Sequence, residues 1–132
     1  MLQKVAFTMY PVKDMQRARA FYEDTLALGP GSGGPSSPWV EFDLPGGGCL
    51  AITTVSKSQP SSAAGGTIAF EVDDLPATIA DLKAKGVNFV ADDIDSPVCR
   101  MAIVNDPDGN AIILHKLKTA EERAGRANPS DY

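Results

Sequence analysis

Phe7-Thr8-Met9-Tyr10-Pro11-Val12-Lys13-Asp14-Met15 and Thr67-Ile68-Ala69-Phe70-Glu71-Val72-Asp73-Asp74-Leu75 are two versions of one pattern. Each is a short run rich in β-branched and aromatic residues, then a carboxylate, then an apolar residue. Setting Asp14 on Asp74 gives an offset of 74 − 14 = 60, which also puts Val12 on Val72, Met15 on Leu75 and Tyr22 on Leu82. Pro45 and Gly47 match Pro107 and Gly109 at an offset of 107 − 45 = 62, so the second copy needs two extra residues. Few residues are identical; the repeat lies in the order of elements.

Each copy reads as strand, helix, then further strands. The spacing predicts strands over Val5 to Tyr10 and Thr67 to Val72. Asp14 and Asp74 follow as helix N-caps, offering a carboxylate to unpaired backbone N–H groups. Pro76 falls in the first helical turn, where its missing N–H costs little. Met15, Ala18, Tyr22 and Leu26 form one apolar stripe, and Leu75, Ile79 and Leu82 the other; both read as core. Gly86 ends the second helix. Strands are expected over Asn88 to Val90, Met101 to Val104 and Ala111 to Lys116. Asp106-Pro107-Asp108-Gly109-Asn110 is a tight turn between the last two, and Leu44-Pro45-Gly46-Gly47-Gly48 does the same in the first copy.

The boundaries follow: module one over 4–55, a Ser/Gly/Pro-rich linker over 56–66, module two over 67–117, and a charged tail over 118–132 that opens on a short helix from Ala120 to Ala127 and then frays. The stretch Gly29 to Pro38 has the composition of a lid or a mobile loop.

Composition narrows the function. The 132 residues, 43% hydrophobic and 22% charged, suit one globular domain. A net charge of −5 disfavours nucleic acid, which needs a clustered basic face. No apolar run approaches the roughly 18 residues of a membrane span, and the first residues lack a secretory layout, so a cytoplasmic protein is expected. Cys49 and Cys99 have no CxxC spacing and no nearby His, and read as small buried hydrophobes.

The residues Val12-Lys13-Asp14-Met15, Ala20-Phe21-Tyr22-Glu23, Leu26-Ala27-Leu28 and Asp106-Pro107-Asp108-Gly109-Asn110-Ala111-Ile112, together with the duplication, resemble the vicinal oxygen chelate superfamily of glyoxalases, bleomycin-resistance proteins and extradiol dioxygenases. The resemblance covers about residues 4 to 117. It implies an α+β fold of two βαβββ modules, eight strands curved into an incomplete barrel with helices packed outside. It also implies a concave face for a small molecule, and a homodimer. In metal-dependent members, His, Gln or Glu stands on the first and last strand of each module. Carried over, those positions are Phe7, Ala51, Thr67 and Ile113. Phe, Ala and Ile offer no lone pair and Thr one neutral hydroxyl, whereas a catalytic divalent ion needs several N, S or carboxylate donors. No metal, no other cofactor and no catalytic residue is therefore expected.

Alternation along each strand extends the candidate pocket lining to Met9 beside Phe7, Glu71 beside Thr67, and His115 beside Ile113. Trp39 and Glu41 share a face on the strand after the loose loop and join the candidates, as does Arg100, which could pair with Glu41 or with a ligand carboxylate. His115 is the chain's one histidine, and near a strand end it reads first as a solvent-edge residue. An apolar cleft with few polar points in an acidic chain suits a small apolar or cationic guest. Two functions stand side by side: a metal-free small-molecule binding protein, or a metal-dependent lyase, isomerase or dioxygenase.

Overall fold

The computed structural model describes residues 1, 3, 5–63 and 65–123. The chain divides into two compact units. The first holds Met1–Ala64 and Asp106–Asn110; the second holds Gly65–Asn105 and Ala111–Tyr132.

In the first unit, β1 (Thr8–Pro11) leads to α1 (Met15–Ala20), followed by β2 (Trp39–Asp43) and β3 (Cys49–Thr53). The sheet order is β1-β3-β2, with β1 parallel and β2 antiparallel to β3. In the second unit, β4 (Ile68–Glu71) leads to α2 (Leu75–Ala84), then β5 (Phe89–Asp95), β6 (Cys99–Asn105) and β7 (Ala111–Leu117), in the order β4-β7-β6-β5. Neither sheet closes on itself. The expected tail helix begins at Ala120 as α3 (Ala120–Arg123); its continuation to Ala127 and the tail beyond lie outside the described residues.

Strand registers repeat the offsets of the sequence. Thr8 lies beside Leu50 in the first parallel pair, and Ile68 beside Ile112 in the second. These partners are 60 and 62 residues apart between copies, the two offsets read from the sequence. Both helices are capped as expected: Asp14 accepts from the Arg17 N–H at 3.1 Å, and Asp74 from the Ala77 N–H at 3.0 Å.

Each helix covers one face of its own sheet. Alternation sends Tyr10, Val40, Phe42, Leu50 and Ile52 to the α1 side, and all are buried. The Tyr22 ring meets Phe42 there at 5.9 Å. In the second unit Ala102, Val104, Ile112 and Leu114 are buried on the face that receives Leu75 and Leu82 of α2. Burying such side chains contributes about 1.5–3 kcal/mol each, which fixes the register.

The first unit forms two strands after its helix where the second forms three. Sixty residues before Phe89–Asp95 stands Gly29–Pro35. Its Gly and Pro residues lack the packing side chains and the N–H groups a strand needs. The segment is nonetheless tied down. The Arg19 guanidinium donates to the Gly34 carbonyl at 3.0 Å and the Gly31 carbonyl at 3.3 Å, and the Glu23 carboxylate accepts from the Gly31 N–H at 2.7 Å. Ser32 does part of a strand's work at the β2 edge: its N–H donates to the Glu41 carbonyl at 3.0 Å, and its hydroxyl accepts from the Glu41 N–H at 2.9 Å.

The first helix also ends differently. Beyond Ala20 it widens into a π-helical turn, Phe21–Thr25. The Leu28 N–H reaches back to the Tyr22 carbonyl, whereas at the equivalent place Val87 reaches Leu82. The first closure spans one residue more, and the wider turn accommodates it. Ala27 closes it at φ 58°, a conformation that Gly86 adopts at φ 78° without a Cβ.

Asp106–Asn110 is more than a hairpin turn, because it belongs to the first unit. Asp106 and Asn110 are buried. The Tyr22 hydroxyl donates to Asp106 at 2.9 Å, and Asn110 donates to the Pro11 carbonyl at 2.9 Å. Asp108 accepts from the Lys13 N–H at 3.0 Å and from Arg17 at 2.8 Å. Among the described residues, no helix is long and apolar enough to cross a membrane.

Candidate functional site

Opposite each helix lies the other face of its sheet, which that unit's own helix leaves uncovered. In the first unit this face brings together Phe7, Met9, Trp39, Glu41 and Ala51. The register sets Met9, Ala51 and Glu41 side by side across the three strands, with Trp39 opposite Thr53 and Asp43 opposite Cys49. Phe7 lies just ahead of β1, and its ring meets the Trp39 indole edge-on at 5.3 Å and 87°. The indole N–H donates to the Glu41 carboxylate at 2.7 Å. The other Glu41 oxygen lies 3.7 Å from the Cys49 sulfur. One carboxylate thereby holds both an aromatic plate and a thiol.

Cys49 was not among the candidates. It is half-buried, unlike the fully buried Cys99. Burial, and then the Glu41 and Asp43 carboxylates, push its thiol pKa above the usual range. That keeps it protonated and a poor nucleophile. The available signal was its spacing from Ala51 on one strand, which places both on one face.

In the second unit the helix-free face carries Ile113, Glu71 and His115. Ala69 pairs with Ile113, Glu71 with His115, and His115 with Met101. Thr67 lies just ahead of β4 and is exposed. Glu71 and His115 meet directly, with Oε1 2.5 Å from Nδ1, while Glu71 Oε2 accepts from the Leu117 N–H at 2.9 Å. Burial pushes the Glu71 carboxyl up, but the Leu117 N–H and His115 outweigh it and hold the group below its usual range. The histidine expected at a solvent edge thus has a fixed partner that parallel pairing supplies.

Arg100 sits elsewhere. Its register partner is Lys116, while Met101 faces His115, so Arg100 projects to the α2 side. It pairs there with Asp93 and not with Glu41.

The donor chemistry does not fit a divalent metal at the carried-over positions. Phe7 and Ala51 in one unit and Ile113 in the other are hydrocarbon, and Thr67 is a single hydroxyl. Among the described residues no three His, Cys, Asp or Glu side chains gather as a metal would need.

A family model described as the Glyoxalase/Bleomycin resistance protein/Dioxygenase superfamily matches residues 4–114. No curated protein matches the sequence. Solved structures do. TnmS3, an antibiotic binding protein from Streptomyces sp. CB03234, is 27% identical with a TM-score of 0.73, over 89% of this chain and 98% of that one. A glyoxalase/bleomycin resistance protein from the same organism is 28% identical with a TM-score of 0.67, over 84% and 98%. The fosfomycin resistance protein FosX from Listeria monocytogenes shares the fold at 22% identity and a TM-score of 0.69, over 93% and 99%.

Proposed function

Because the chain belongs to the Glyoxalase/Bleomycin resistance protein/Dioxygenase superfamily, we propose that it is a metal-free small-molecule binding protein. Its guest lies on the helix-free face of the first unit. The observation that carries this reading is the make-up of that face. Where the superfamily resemblance calls for metal ligands stand Phe7 and Ala51, and beside them a Trp39 plate is fixed by Glu41.

The chemistry of recognition follows from those groups. Trp39 and Phe7 meet edge to face and offer an apolar corner for a flat or branched hydrocarbon body. Glu41 and Asp43 add negative charge on the same face, which favours a neutral or cationic guest over an anion. Restricting Trp39 before the guest arrives lowers the ordering cost of binding. The relation to an antibiotic binding protein at 27% identity supports a binding role.

Trp39 is the chain's one tryptophan, so its fluorescence reports this face alone. We expect a panel of neutral and cationic aromatic compounds to contain members that change Trp39 emission saturably, and Glu41→Gln to weaken the cationic ones most. Elemental analysis of the purified protein completes the test. Stoichiometric zinc, nickel, iron or manganese would overturn the metal-free reading.

A further inference from the structure

The β4–β7 register sets Glu71 beside His115, and the pair fixes where the imidazole carries its hydrogen. Glu71 Oε1 meets Nδ1, and Oε2 is anchored by the Leu117 N–H at 2.9 Å, which stops the carboxylate from turning away. Against burial, the Leu117 N–H and His115 hold the Glu71 carboxyl below its usual range, so near neutrality it is ionised and only accepts. The hydrogen between the two groups therefore lies on Nδ1, and the neutral imidazole presents a lone pair at Nε2. Among the described residues, Nε2 meets no hydrogen-bond partner.

The surroundings of that lone pair are apolar. Register and alternation put Ile94, Met101, Ile103 and Ile113 on the same helix-free face, and all four are half-buried. The His115 side chain itself is only 22% exposed. An acceptor so placed costs free energy unless a donor meets it. Its orientation is also set in advance, since a base held by a third group need not reorder when a donor arrives. A charged guest fits poorly. Both Glu71 oxygens are taken and the Lys116 charge already acts on that carboxylate, so little is left to hold a cation, while an anion meets the like charge of Glu71. Either ion would lose water against the four apolar side chains.

We propose that the helix-free face of the second unit binds a neutral hydroxyl compound with an apolar body. The hydroxyl donates to His115 Nε2, and the body lies on Met101, Ile103 and Ile113. Glu71 is a positioning residue that keeps the imidazole in its accepting tautomer. The site rests on the second unit alone and does not depend on a guest at the Trp39 face.

His115 is the chain's one histidine, so its imidazole resonances report this site alone. The test is an NMR titration of the full chain with p-cresol at about pH 8, above the usual histidine value. The controls are 4-methylanisole, which lacks the donor, and 4-methylbenzoate and 4-methylbenzylamine, which carry charge. p-Cresol should shift the His115 ring and the Met101 and Ile113 amides saturably. The anisole should bind about tenfold more weakly, as loss of one hydrogen bond to a half-buried acceptor does, and the ions more weakly still. His115→Phe should abolish the preference for p-cresol over the anisole. Glu71→Gln should narrow that preference and leave anisole binding as it is, a split that a merely structural role would not produce. Equal binding of the anisole or of either ion, a preference that survives His115→Phe, no saturable shift, or shifts confined to residues around Trp39 would each overturn the proposal. The native chain with the four probes decides the question even if a variant folds poorly. Failure here leaves the Trp39 emission result unaffected, so the two readings fall separately.

Discussion

The Tyr22 hydroxyl donates to the Asp106 carboxylate at 2.9 Å, joining residues 84 positions apart inside the first unit. Asp106 also accepts from the Asp108 N–H and from the Asn110 backbone and side chain, each at 2.9 Å. A buried carboxylate holds its charge only where several donors meet it.

Tyr22→Phe removes one of those donors and leaves the ring in place. We expect a loss of about 1–3 kcal/mol, read as a lower urea midpoint with unchanged slope. The phenol adds a pH signature. Burial first, and then Asp106, raise its pKa well above 10.0. A raised folded pKa means that the contribution to stability is full below the unfolded value and is lost as pH rises through about 10 and above. The native protein should therefore lose stability in that alkaline range more steeply than Tyr22→Phe does.

Gly31→Ala tests the loop that stands in for a strand. A Cβ there would lie 2.4 Å from a Val40 methyl and 2.8 Å from the Phe42 ring. Neither neighbour can withdraw without disturbing the core, so a loss of about 1–3 kcal/mol is expected. Thermal denaturation reads it. Gly34→Ala is the control, since nothing lies within 4 Å of a Cβ there.

Cys49 should alkylate slowly with iodoacetamide near neutral pH, because its raised pKa leaves little thiolate. Glu41→Gln removes one of the two carboxylates and should bring the pH profile of alkylation to lower pH. A guest on the Trp39 face should slow the reaction further in the native protein. An unchanged profile in Glu41→Gln would show that Glu41 has no part in setting the thiol.

Glu71 predicts a change at the acid end. Its folded pKa lies below the usual 4.5, so its contribution is present above that value and is lost as pH falls through the folded pKa. The side chain is 53% exposed, which limits the effect to about 1 kcal/mol or less. Stability curves of native protein and Glu71→Gln should diverge near neutrality and converge as pH falls through the lowered folded pKa.

The duplication was legible because Asp14 and Asp74 cap helices by a local rule, and local rules survive in a bare sequence. The two offsets reappeared as strand registers for that reason. The aromatic face was legible in parts: alternation placed Trp39 with Glu41, and Phe7 with Met9. What joined those parts was the β2–β3 register, which no single strand encodes. The missing strand was legible only as a loop, because Gly29–Pro38 carries no apolar stripe, while its anchors Arg19 and Glu23 stand outside that stretch, on the helical segment before it. Arg100 was assigned by possible partner, and its face follows from a register one residue out of step with His115. Asp106 and Asn110 read as turn residues, and their burial depends on Tyr22 and Pro11, far away along the chain.

That last arrangement bears on how the protein is made. The first unit does not end where its own strands end; it awaits Asp106–Asn110, delivered after most of the second unit has been synthesised. A nascent chain stopped after residue 64 would bury a tyrosine hydroxyl with no acceptor and leave the Pro11 carbonyl without its amide. The two halves are therefore not separable as gene fragments. Cutting between them should yield a first half that stays unfolded until a chain carrying residues 106–110 is supplied in trans.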